Sequence, residues 1–159
     1  MRFGSAVIVE LYAVWIAALL GASAEGDRLS VDLNTNAWNL SAVPAGGTID
    51  TWYDSPGYFA VSNSGTVAAR VYLSVTNSSP SGWKPGSTPG IEQFALLYAR
   101  EVGRPLPHYR PLHTETVALH ERLAPGEVGR FDLRFEAPLR AGGGIEETMT
   151  VNVMSIESE

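Results

Sequence analysis

Residues 58–79, YFAVSNSGTVAARVYLSVTNSS, place apolar side chains at every second position: Phe59 and Val61, then Ala69, Val71, Leu73 and Val75. That is the period of a strand, not of a helix. Asn63-Ser64-Gly65 between the two runs supplies residues that tolerate turn dihedrals, so the stretch predicts two strands joined as a hairpin. One face must be buried. The other carries Arg70, Tyr72, Ser74 and Thr76, which suit solvent or a partner.

The same alternation recurs along the chain. Leu29, Val31 and Leu33 alternate with Ser30, Asp32 and Asn34, and Phe131, Leu133 and Phe135 alternate with Arg130, Asp132, Arg134 and Glu136. Further strands are expected around Trp38 and Leu40, over 48–53, 94–100 and 117–123, and over 148–156. Pro44-Ala45-Gly46, Asp54-Ser55-Pro56-Gly57 and Ala124-Pro125-Gly126-Glu127 read as turns, because proline presets φ and glycine permits positive φ. Residues 78–90 and 103–113 are too rich in proline and glycine for regular structure and read as loops, and Gly142-Gly143-Gly144 reads as a flexible connection. These signals predict an all-β domain, an immunoglobulin-like or jelly-roll β-sandwich of about 7–8 strands.

With 159 residues, 45% hydrophobic, the chain suits one domain with a real core. The charged fraction is 18%, below the roughly 25% usual for soluble proteins. A net charge of -6 and a single lysine, Lys84, argue against a nucleic-acid partner, which needs a concentrated basic surface. There is no cysteine, so disulfides and thiolate metal sites are excluded.

Residues 1–24 differ from the rest. Arg2 precedes an apolar run from Leu11 to Gly21 that ends in Ala22-Ser23-Ala24, the small-x-small pattern of a cleaved export signal. The expected organisation is therefore an export signal over 1–24 and a single domain over 25–159, in a secreted, extracellular or cell-surface protein. If the segment is not cleaved, it is the chain's contact with a membrane. A second reading comes from Ser5 followed by Ala6-Val7-Ile8-Val9-Glu10, which resembles the N-terminus of type IV pilin-like subunits.

Asn63-Ser64-Gly65, a strand ending Val75-Thr76-Asn77, Gly82-Trp83, Leu123-Ala124-Pro125-Gly126-Glu127, Leu133–Pro138 and a terminal Thr150-Val151-Asn152-Val153 occur in an order that resembles secreted prokaryotic immunoglobulin-like domains. The resemblance spans about residues 29–156 and bears on fold more than on function. Leu40-Ser41-Ala42-Val43-Pro44-Ala45-Gly46, following a strand near the mature N-terminus, narrows it to extracellular fibre subunits of the TasA and camelysin type. That resemblance implies a homopolymer in which the N-terminal strand of one subunit completes the sheet of the next. Here Arg28, Leu29, Val31 and Leu33 form the candidate donor strand, and the outward Arg70, Tyr72, Ser74 and Thr76 become candidate subunit contacts. An ordinary first strand within the chain has the same pattern.

No catalytic motif stands out, no cofactor is implied, and the chain is not expected to be an enzyme. His108, His113 and His120 match no ligand spacing and read as surface histidines. Asp50 and Asp54 beside Trp52 and Tyr53 read as turn residues. Glu146 and Glu147, adjacent on a strand, face opposite ways and cannot act as a paired acid and base. Trp38, Trp52, Tyr53, Tyr58 and Trp83 could stack on a surface glycan, which makes a carbohydrate- or surface-binding module the alternative function. Asn39-Leu40-Ser41 and Asn77-Ser78-Ser79 make Asn39 and Asn77 candidate glycosylation sites.

Overall fold

The computed structural model describes residues 5–15, 26–51, 57–100, 108–140 and 146–158. The protein is all-β, with two multi-strand sheets. Among the described residues, twelve strands run in chain order: β1 (Ser5–Trp15), β2 (Val31–Leu33), β3 (Ala37–Val43), β4 (Thr48–Asp50), β5 (Phe59–Asn63), β6 (Ala69–Val75), β7 (Lys84–Pro85), β8 (Gln93–Ala99), β9 (Arg110–Leu112), β10 (Val117–Leu123), β11 (Val128–Glu136) and β12 (Glu146–Glu157). One sheet has five strands in the order β10-β6-β12-β1-β3. The other has seven, β2-β5-β11-β8-β7, with β4 also paired to β11 and β9 to β8.

The excess over the expected seven or eight strands has identifiable sources. β7 and β9 lie in the two proline-rich stretches read as loops, each adding a short pairing beside β8. β1 lies in the segment expected to be an export signal. Its neighbour Ile16 and the remainder of the apolar run to Ala24 fall outside the described residues.

The stretch 58–79 forms both expected strands and buries the expected face: Phe59, Val61, Ala69, Val71, Leu73 and Val75 all lie in the core. The expected hairpin is corrected, however. β5 pairs with β2 and β11 in the seven-stranded sheet, whereas β6 pairs with β10 and β12 in the five-stranded one. The connection over 64–68 is longer than the two-residue turn that closes a tight hairpin. It carries the chain from one sheet to the other while both inner faces stay on the same core.

Asn63 organises that crossing. Its amide donates to the carbonyls of Val67 and Leu123, both at 2.8 Å, and its Oδ1 accepts the Gly65 N–H at 2.9 Å. Gly65 backs directly onto the Arg28 carbonyl and the Ser30 N–H, leaving no room for a Cβ. The turns at 44–47 and 124–127 form as the sequence predicts. Gly46 and Gly126 take φ of 69° and 77°, and Gly47 and Glu127 donate back to Pro44 and Ala124 at 2.8 and 2.9 Å.

Inward side chains of both sheets meet in one hydrophobic cluster. Phe59 stacks on Phe131 at 5.4 Å and meets Trp38 edge-on at 6.4 Å, while Phe94 and Phe135 lie 6.0 Å apart. With no disulfide available, this cluster and the sheet ladders hold the fold.

Candidate functional site: a slot between two strands

The feature most unlike an ordinary antiparallel domain is the place of β1. It runs parallel to β12, from Ala6 opposite Glu146 to Trp15 opposite Ser155, and antiparallel to β3, from Ser5 opposite Val43 to Glu10 opposite Ala37. A register shift between Ala6 and Ile8 marks a bulge against β3. Val7, Val9 and Leu11 enter the core fully buried. Burying each is worth about 1.5–3 kcal/mol. Ile8, Glu10 and Tyr12 face outward, and the Tyr12 hydroxyl donates to Glu10 Oε2 at 2.9 Å. That bond to a carboxylate holds the tyrosine pKa above its ordinary value. The Leu11 N–H is taken by the Asn36 carbonyl at 2.8 Å, where β1 leaves the end of β3.

Among the described residues, β1 is the strand that joins β3 to the five-stranded sheet. Adjacent strands stand about 4.8 Å apart, so β12 and β3 flank a slot roughly 10 Å wide. Without an occupant, both sides of the slot present unpaired N–H and C=O groups, and an apolar trough opens to the core.

The sequence-predicted residues take the following places. Val31–Leu33 forms β2 at an edge of the seven-stranded sheet and pairs with Val61–Asn63 of the same chain. Arg28 is exposed; its N–H donates to Thr66 Oγ1 at 2.8 Å and its guanidinium to the Ser64 carbonyl at 3.0 Å. Val31 is buried, with Leu29 and Leu33 packed against the core. On β6, Arg70, Tyr72 and Ser74 lie on the outer face of the five-stranded sheet. Arg70 is 3.9 Å from Glu121, Tyr72 is opposite Met154, and the Ser74 hydroxyl accepts from Asn152 at 3.4 Å. Thr76, just beyond the strand, is exposed and accepts the Thr150 N–H at 3.1 Å. They share that face with Ile8, Glu10 and Tyr12 rather than with β2.

Of the aromatics considered for glycan stacking, Trp38 and Trp83 are buried. Tyr58 lies beneath the Arg130 guanidinium at 4.9 Å, and Trp52, Tyr53 and Asp54 fall outside the described residues. Asn39 and Asn77 are exposed, on β3 and in the loop after β6. His113 is 3.4 Å from Ser87, and no group of three or more metal-ligating side chains is present among the described residues.

Three polar features escape sequence reasoning. Asp132 follows the outward pattern of β11 yet is fully buried; Thr51 donates to its Oδ1 at 3.3 Å, and Oδ2 has no partner. Burial pushes its carboxyl up to about 6, helped by the charge of Asp50 and opposed by the Thr51 hydrogen bond. Asp50 is itself ion-paired with Arg134 at 3.3 Å. Glu147, buried while its neighbour Glu146 is exposed, accepts from Ser78 Oγ at 2.8 Å and from the Ser81 N–H at 3.1 Å. It thereby ties the 78–83 loop to the foot of β12. His120 presses its ring on Gly129 beside a cavity of about 400 Å³ lined by Arg100, Glu127 and Arg130. Burial, reinforced by the Arg100 charge, lowers the His120 pKa, so the ring is neutral at pH 7.

No protein-family model matches the chain, and no curated protein matches it in sequence.

Proposed function

We propose that the protein is a secreted structural subunit that assembles with copies of itself into an extracellular filament, pilus or surface layer by β-strand addition. In this reading its two sheets form an immunoglobulin-like sandwich. One observation supports it above the others: an N-terminal strand lies inside a sheet, between β12 and β3, instead of beginning the sheet at an edge. A slot that takes an alternating strand from the chain's own N-terminus can take another such strand from a neighbour, here the segment 28–33. The backbone bonds and the trough for alternate apolar side chains are the same in both cases. The chemistry of assembly is then backbone pairing and apolar burial, with no reacting group.

The test is negative-stain microscopy and sedimentation of the purified protein, before and after removal of residues 1–24. Filaments that disappear when residues 25–36 are also deleted are the expected result. Monomers at every concentration, with an unchanged far-UV circular dichroism spectrum, would exclude self-assembly.

A further inference from the structure

The slot between β12 and β3 requires alternate apolar side chains toward the core and tolerates polar ones outside. β1 meets this with Val7-Ile8-Val9-Glu10-Leu11. The chain carries the pattern a second time, in Leu29-Ser30-Val31-Asp32-Leu33. Laid in the register of β1, Leu29 takes the place of Val7, while Val31 and Leu33 reproduce Val9 and Leu11 with identical side chains. The acidic residue falls at the same outward position, Asp32 for Glu10, opposite Thr150. Ser30 and Asn34 would replace the outward Ile8 and Tyr12, making the second segment the more soluble of the two when unpaired.

The two segments are held very differently. β1 is an 11-residue strand bonded on both sides. β2 is a 3-residue edge strand bonded to β5 on one side. Beyond β2 the segment is also tied down through Arg28, Ser30 and Asn34, whose backbone groups bond Thr66, Ser64, Gly65 and Ala60, so donation to a second copy exchanges these bonds for those of the slot.

We propose that β1 is a placeholder for the slot, and that the strand it is exchanged for is Leu29–Leu33 of a second copy. This rests on the strand-addition reading above and adds its regulation. While β1 is covalently attached, its high effective concentration excludes a competing strand. Once detached, it can be displaced. Asn34–Asn36, which join the donor segment to β3, span only about 10–13 Å at roughly 3.3 Å per residue, so successive subunits stack directly.

The test uses the full chain with a specific protease site placed after Ala24, left intact or cut, and a fluorescein-labelled peptide of residues 26–37. The intact chain is expected to remain monomeric and to ignore the peptide. The cut chain is expected to take it up and to polymerise, and excess unlabelled peptide of residues 5–15 is expected to suppress both. A peptide with Val31→Arg and Leu33→Arg is expected to lose uptake, and it leaves the folding of the protein untouched. Equal peptide uptake or polymerisation by intact and cut chains overturns the placeholder role while leaving strand addition standing. Uptake of the doubly substituted peptide as strong as that of the parent overturns the donor assignment. Peptide uptake without polymerisation supports the exchange and overturns the filament reading instead.

Discussion

Replacing Asp132 with asparagine tests the polar burial at the centre of β11. The carboxyl is fully buried and titrates near 6, against 3.8 for an ordinary aspartate. The folded state therefore favours the protonated acid. Its penalty is absent below the unfolded pKa, grows as pH rises from 3.8, and is complete above 6. A displacement of about 2 units corresponds to about 3 kcal/mol at neutral pH. The substituted asparagine would keep the acceptor for the Thr51 hydroxyl but bury an amide donor, a cost of about 1–3 kcal/mol that does not depend on pH. The net effect at any single pH is thus a small difference, whereas its pH dependence is not. Between about pH 4.5 and 8, Asp132→Asn should gain about 2 kcal/mol relative to the parent, from the same linkage. Urea denaturation of both proteins across that range, followed by tryptophan fluorescence, measures it. Parallel stability profiles would show that Asp132 titrates normally and is open to solvent.

Other consequences can be checked with equally simple measurements. Val9→Ala, at a fully buried position of β1, should cost about 2–3 kcal/mol in the full chain, while Tyr12→Ala on the exposed face should cost under about 1; equal effects would mean that β1 is not seated. Gly129→Ala forces a methyl into the His120 ring and should lower the melting temperature by several degrees, with His120→Ala restoring part of the loss in the double variant. Glu147→Ala strips the acceptor from Ser78 and the Ser81 N–H and should cost about 2–4 kcal/mol, with faster amide exchange in residues 78–83 than elsewhere.

The parts of this fold visible in the sequence are those fixed by local alternation. Phe131, Leu133 and Phe135 declare their buried face within a few residues, and the turns Pro44-Ala45-Gly46 and Ala124-Pro125-Gly126 carry their own dihedral logic. Pairing does not have that property. Nothing near Asn63 states that β5 and β6 part company into different sheets, because the choice depends on partners such as Leu123, far along the chain. β1 was hidden for another reason. Ile8 is as apolar as its inward neighbours, so the alternation of Val7, Val9 and Leu11 merges with the apolar run that follows and reads as an export signal. Its parallel partner lies at the opposite end of the chain. Asp132 shows the converse: an outward position on a strand implies solvent only when nothing lies over that face. The Leu29–Leu33 pattern was visible from the start, but its likeness to β1 acquires meaning only once the slot is known.

Everything proposed for assembly depends on which strand lies between β12 and β3, and a chain without cysteine allows that to be read by cross-linking. Paired Cα atoms on neighbouring strands lie within the range a disulfide bridges. Asp32→Cys and Thr150→Cys, introduced together in the chain cut after Ala24 and oxidised gently, place one thiol on the donor segment and one beside the slot. Strand exchange should give a ladder of covalent oligomers on a non-reducing gel, collapsing to monomer on reduction, while Glu10→Cys with Thr150→Cys in the intact chain closes within single molecules. A cut Asp32→Cys, Thr150→Cys protein that stays monomeric under those conditions would refute strand exchange between copies.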